Sequence, residues 1–251
     1  MTTPSIPDLT LTQMVRAHAR ERPDALALRQ KDFGIWQAYS WQDYYRRARH
    51  FGLGLRAMGL EPGGHVAIIS ENRVEWVIGQ MGIGLVQGIC VGVYPTSPWN
   101  EVAYVLEHSD AEFVICEDQE QTDKVLEAWP DLPKLKHCIA IDMKGLRYYP
   151  EPPSAFEDIE ARGREFEAQH PNLVDELLDS QQMDDTALMI YTSGSTGRPK
   201  GAMISWHNLH AAAPGLIELL QADEHGSSLS YLPLCHVAEQ AFTNIAPVYV
   251  G

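Results

Sequence analysis

Short apolar runs recur along this chain, each separated from the next by a stretch with helical spacing. No other feature restricts its fold as tightly. His65-Val-Ala-Ile-Ile69, Val91-Gly-Val-Tyr94, Glu112-Phe-Val-Ile-Cys116 and His137-Cys-Ile-Ala-Ile141 are too short for helices and apolar on both faces. A strand with that pattern suits a parallel sheet covered on both sides. Between them, Asn72 to Gly84, Trp99 to His108 and Gln121 to Ala128 read as helices. Repeated β-α-β order implies an α/β fold, a helix-flanked and mostly parallel sheet over about residues 45–145.

Other elements fit around that unit. Leu11 to Arg20 reads as a helix closed by Pro23. Ala25 to Leu28 and Ile35 to Tyr39 read as a strand pair turning at Asp32-Phe33-Gly34. Trp41, Tyr44, Tyr45, Ala48, Phe51, Leu55 and Met58 share one helical face, with Ser40 as N-cap and Gly59 and Pro62-Gly63 as the stop. From Lys144 to Gln182 the rhythm breaks. Two polar helical stretches without a strand predict a surface connection there. A new strand, Thr186 to Tyr191, begins after Asp184. The expected division is therefore residues 1–183, a first α/β subdomain including the connection at about 144–183, and residues 184–251, the start of a second, similar one.

The formal charge is −15, from 34 acidic and 19 basic residues, which argues against binding a nucleic-acid phosphate backbone. It also opposes electrostatic docking on anionic membranes, so peripheral membrane contact would need a local basic patch. The four cysteines, Cys90, Cys116, Cys138 and Cys235, are widely spaced and read as free thiols of a reducing compartment. His207 and His210 form an HxxH pair with no second pair of metal ligands. The first residues lack a signal peptide's basic start and apolar run. The most apolar stretch, Val77 to Val93, is shorter than the ~20 residues of a membrane span and reads as a helix entering a strand. No transmembrane segment and a cytoplasmic location are the expectation.

Chemistry concentrates in Tyr191-Thr-Ser-Gly-Ser-Thr-Gly-Arg-Pro-Lys-Gly201. Four hydroxyls (Thr192, Ser193, Ser195, Thr196) lie among Gly194, Gly197 and Gly201, with Arg198 and Lys200 beside them. Glycines let successive N–H groups line an anion-binding concavity, hydroxyls donate further bonds, and a lysine adds a point charge. That combination suits a polyphosphate. A hydroxyl-rich hairpin turn is the plain alternative, but the run lies between Ala187-Leu-Met-Ile190 and Ala202-Met-Ile204, which look like buried strands. It is not a P-loop, because Gly201 occupies the Ser/Thr position after the lysine.

Tyr191 to Gly201 resembles the AMP-binding signature of the adenylate-forming superfamily. Tyr231-Leu-Pro-Leu-Cys-His236 resembles its Leu-Pro-x-x-His motif. Val237-Ala-Glu239 continues it as in long-chain acyl-CoA synthetases, with Gln240 in place of their arginine. Asn72-Arg-Val-Glu-Trp76, Val93-Tyr-Pro-Thr-Ser-Pro98 and Ala103-Tyr-Val-Leu-Glu-His-Ser-Asp110 read like the same branch. The resemblance spans nearly the whole chain. It identifies an amino-terminal part of a long-chain acyl-CoA synthetase, a fatty-acid–CoA ligase.

The resemblance implies a two-step ligation. A fatty acid or other carboxylate attacks ATP, giving acyl-adenylate and pyrophosphate; CoA, as co-substrate, then displaces AMP. Thr192, Ser193, Gly194, Ser195, Thr196, Gly197, Lys200 and Gly201 would hold the phosphates. Ser195 would lie near Mg²⁺, and His236 beside the substrate carboxylate. Glu239 either orients His236 or is an ordinary solvated helix carboxylate. The superfamily's Tyr-Gly-x-Thr-Glu and Thr-Gly-Asp segments, hinge and carboxy-terminal lysine do not occur within the 251 residues. The expectation is thus a portion inactive by itself, whose partner is the carboxy-terminal part of the same enzyme. The alternative is a stand-alone nucleotide- or acyl-binding module without ligase activity.

Overall fold

The computed structural model describes residues 8–192 and 197–251. Helix α1 (Leu11–Glu21) opens on a capping box in which the Thr10 hydroxyl accepts from the Gln13 N–H. An antiparallel hairpin follows, β1 (Leu26–Asp32) with β2 (Ile35–Ser40). Its end is also the start of α2 (Trp41–Ala57), where the Ser40 hydroxyl accepts from the Asp43 N–H as the sequence predicts. The chain then alternates β3 (His65–Ile69), α3 (Val74–Leu85), β4 (Ile89–Val93), α4 (Trp99–His108), β5 (Phe113–Cys116), α5 (Gln119–Ala128) and β6 (His137–Ala140). Next come β7 (Ser154–Ala155), α6 (Phe156–Gln169), α7 (Leu173–Ser180), β8 (Thr186–Thr192), β9 (Lys200–Ser205) and α8 (Trp206–Leu220).

The main sheet has seven strands in the order β7-β6-β5-β3-β4-β8-β9. All neighbours are parallel except β8 and β9. The expected parallel, helix-flanked sheet is therefore present. Alternation along each strand sends side chains to two cores. Val66 and Ile68 of β3 pack on the side of α2, α3, α6 and α7. Ala67 and Ile69 pack on the side of α4 and α5. In β8, Leu188 and Ile190 join the first core, and Met189 and Tyr191 the second.

Ala202-Met-Ile204 is not a buried strand: β9 is the edge of the sheet, and Ala202 and Met203 are exposed. Two further expectations need correction. The stretch from 144 to 182 is not a surface connection without a strand. Its β7 pairs with β6, and its helices close one face of the sheet. Phe156 stacks on Phe51 with ring centroids 4.0 Å apart. Ile159, Val174 and Leu178 are buried, and Arg47 pairs with Glu160 at 2.9 Å. Helix α6 touches α2 so closely that a Cβ at Gly163 would collide with the His50 carbonyl, and one at Gly54 with that of Ile159. The sequence hides this because the buried stripe of α6 is narrow, with a glycine in it and charges on both flanks. The second concerns residue 184. There the chain does not leave the sheet: Cys90, Val91 and Gly92 of β4 pair with Leu188, Met189 and Ile190 of β8. One sheet runs across the expected division at 183/184.

Candidate active site

Because β3, β4 and β8 are parallel, the chain leaves all three at the same edge of the sheet. That carboxyl edge is where open α/β sheets bind ligands. Ser70-Glu71-Asn72 follows β3, Tyr94-Pro95 follows β4, and the glycine- and hydroxyl-rich turn follows β8. Thr192 and Lys200 are ladder partners across that turn. Ser193, Gly194, Ser195 and Thr196 lie outside the described residues, so the expected phosphate and Mg²⁺ contacts at these four are not located. Of the flanking residues, Thr192, Gly197, Arg198 and Lys200 are exposed. Gly197 has φ +128°, a backbone region open to glycine. At Gly201 the requirement is space instead. A Cβ there would lie 2.9 Å from Met189 Sδ and 3.1 Å from the Tyr191 ring.

The segment ending in His236 is fixed against the same edge by its backbone. The Asn72 side chain donates to the Leu232 carbonyl at 2.7 Å and to the Ser230 hydroxyl at 2.8 Å, and accepts the Leu234 N–H at 3.2 Å. Cys235 seats directly on β4, where a Cβ at Gly92 would approach it to 2.9 Å. Since Gly92 is paired with Ile190 of β8, the segment ending in His236 rests on the strand next to the one that enters the turn after Thr192. His236 is exposed. Its Nδ1 accepts the Ala238 N–H at 3.2 Å, leaving Nε2 to carry the proton of the neutral ring. Burial pushes the Cys235 thiol up to about 12, so this neighbour of His236 stays protonated and is no nucleophile.

Glu239 follows neither expectation. It is fully buried and accepts the Leu232 N–H at 3.1 Å and the Thr243 hydroxyl. It braces the backbone of the His236 segment rather than the imidazole. Gln240, in the position of the expected arginine, is buried too. It donates to the Leu234 carbonyl at 2.6 Å and exchanges bonds with Gln80. Sequence reasoning missed Asn72, Glu239 and Gln240 as parts of one brace. The signal in the sequence was Gln80, an amide between Ile78-Gly79 and Met81-Gly82-Ile83. Among the described residues no cluster of three His, Cys, Asp or Glu side chains could hold a metal ion, and no helix is long and apolar enough to cross a membrane.

A mostly parallel sheet with helices on both faces, carrying this turn on its carboxyl edge, has the architecture of the amino-terminal domains of adenylate-forming enzymes. A protein described as a long-chain-fatty-acid CoA ligase from Rhodopseudomonas palustris superposes with a TM-score of 0.79 at 26% identity, over 98% of this chain and 57% of that one. The long-chain-fatty-acid-CoA ligase FadD1 from Archaeoglobus fulgidus shares the fold, with a TM-score of 0.79 at 18% identity over 100% of this chain and 47% of that one. The chain belongs to the AMP-binding enzyme family, whose model matches residues 15–251. Among its relatives is the long-chain-fatty-acid–CoA ligase ACSBG2 of Xenopus laevis, 31% identical over 244 residues, covering 94% of this chain and 32% of the relative. The chain thus spans about a third of the length of such relatives.

Proposed function

We propose that this chain is the amino-terminal portion of an ATP-dependent fatty-acid–CoA ligase, the portion that receives the phosphates of ATP and the substrate carboxylate. One observation carries the reading. The segment ending in His236 packs through Cys235 on Gly92 of β4, whose ladder partner Ile190 lies on β8, the strand that enters the turn bounded by Thr192 and Lys200. In the first step a carboxylate oxygen bonds to the α-phosphorus, and the bond to the β-phosphate oxygen breaks, releasing pyrophosphate. In the second, the CoA sulfur bonds to the acyl carbon, AMP departs, and the thiol proton is lost. Such chemistry depends on positioning and charge stabilisation.

In this reading Thr192, Ser193, Gly194, Ser195, Thr196, Gly197 and Gly201 offer hydroxyl and backbone donors to the β- and γ-phosphates. Lys200 meets their charge, while His236 orients the carboxylate. Mg²⁺ would accompany the nucleotide and offset the phosphate charge, with Ser195 contributing a hydroxyl. The base pocket, ribose contacts and CoA site belong to the rest of the enzyme, which leaves this portion without ligase activity by itself. A cytoplasmic location fits four unpaired, buried cysteines.

The test is calorimetric titration of the 251-residue chain with Mg²⁺–pyrophosphate and Mg²⁺–ATP, beside Lys200→Ala. We expect binding that weakens by roughly ten- to a hundredfold in the variant, a typical loss for one charged hydrogen bond. Equal affinities would remove the phosphate reading. In a parallel ATP–pyrophosphate exchange assay with a long-chain fatty acid, neither chain should show exchange. Exchange above the Lys200→Ala background would mean that these residues suffice for adenylation.

A further inference from the structure

Helix α4 touches both ends of the turn between β8 and β9. At the start of the turn, the Tyr191 hydroxyl lies 2.8 Å from His108 Nδ1, and the two rings meet edge-on at 82°. At its end, the Tyr104 hydroxyl donates to the Pro199 carbonyl at 3.0 Å. The Arg198 guanidinium lies 5.1 Å from the Tyr104 ring centroid. Tyr104 and His108 are one helical turn apart, so they share a face of α4, with ring centroids 5.3 Å apart. Tyr191 reaches them because alternation along β8 turns it toward the core layer that α4 covers.

Packing alone would be served by phenylalanine at position 104 and by any apolar residue at 108. Instead, both side chains end in polar atoms bonded to the two ends of one turn, 83 and 95 residues away. The Arg198 guanidinium sits over the Tyr104 ring, 5.1 Å from its centroid. A guanidinium held by a cation–π contact spends none of its N–H groups on that contact and can offer them to an anion.

We propose that α4 is a clamp on the phosphate turn. Tyr104 and His108 act as positioning residues that fix both its ends and the direction of Arg198 before ATP binds. The proposal rests on the phosphate reading of Thr192 to Gly201. Its benefit is pre-organisation: a turn already held at both ends loses less freedom on binding a polyphosphate.

The test uses the 251-residue chain and Mg²⁺–pyrophosphate as the probe, with affinity and thermal midpoint measured on the same samples. Tyr104→Phe keeps the ring and loses the bond to Pro199. His108→Ala and Tyr191→Phe remove the other bond from its two sides, and His108→Gln restores a side chain able to donate or accept it. We expect Tyr104→Phe and His108→Ala each to weaken binding by roughly three- to tenfold, as for one hydrogen bond, with midpoints within about 3 °C of wild type. His108→Gln should recover most of the loss. His108→Ala with Tyr191→Phe should cost no more than either alone. Unchanged affinity in Tyr104→Phe and His108→Ala, beside a weakened Lys200→Ala, would overturn the clamp and keep the phosphate reading. Lowered midpoints with unchanged affinity would make the contacts structural only and overturn it too. If wild type and Lys200→Ala bind alike, the phosphate reading falls and the clamp with it.

Discussion

His236 and Glu239 are three residues apart and do different work. A motif points to the histidine, which stands exposed at the end of its segment. It says nothing of the glutamate, whose partners are the Leu232 N–H and the Thr243 hydroxyl. A carboxylate that accepts local hydrogen bonds reads, in sequence, like any helix carboxylate. The two therefore separate by stability. Glu239→Ala strands a buried N–H and should cost about 1–3 kcal/mol, a fall of roughly 2–4 °C in thermal midpoint per kcal/mol at this size. His236→Ala removes an exposed cap of one short turn and should cost no more than about 1 kcal/mol. Midpoints measured by circular dichroism decide the matter. A smaller loss in Glu239→Ala than in His236→Ala would contradict the bracing role.

At the scale of elements, the central strands and the helices between them were legible because their apolar runs and helical periods are long enough to register. Ser40 was legible as a cap because its hydroxyl acts within three residues. The packing of α6 was not. A helix with charges over most of its surface buries itself here through two glycines that bring backbones together, and spacing in one sequence does not reveal which distant backbone a glycine meets. Gly54→Ala and Gly163→Ala should each force α2 and α6 apart and lose about 1–3 kcal/mol or more. Alanine at an exposed helical glycine would instead stabilise by about 0.5–1 kcal/mol. The sign of the shift in urea midpoint thus reports whether α6 packs as described.

For the molecule as a whole, the sheet order matters more than the sequence order. The division at 183/184 follows a real change in the chain, from polar helices to a new strand. Yet β8 pairs with β4 near the middle of the sheet. Pairing across so long a separation leaves no mark on local composition, which is why the continuity was not readable. Without residues 184–251, β4 becomes an edge and the residues it buries against Leu188 and Ile190 meet water. Residues 1–183 alone should unfold at lower urea than the whole chain, or aggregate, while the whole chain unfolds in one transition. Identical midpoints for the two would establish 1–183 as an autonomous unit.

Asn72 grips the chain from 230 to 234 through two main-chain groups and one hydroxyl. Main-chain groups are the same whatever residue bears them, so the two bonds at 232 and 234 do not depend on side-chain identity there and are sensitive to count. A substitution at 232 other than proline leaves these main-chain bonds intact. The loss or gain of a single residue there shifts every later position by one and brings a different side chain to the place of His236.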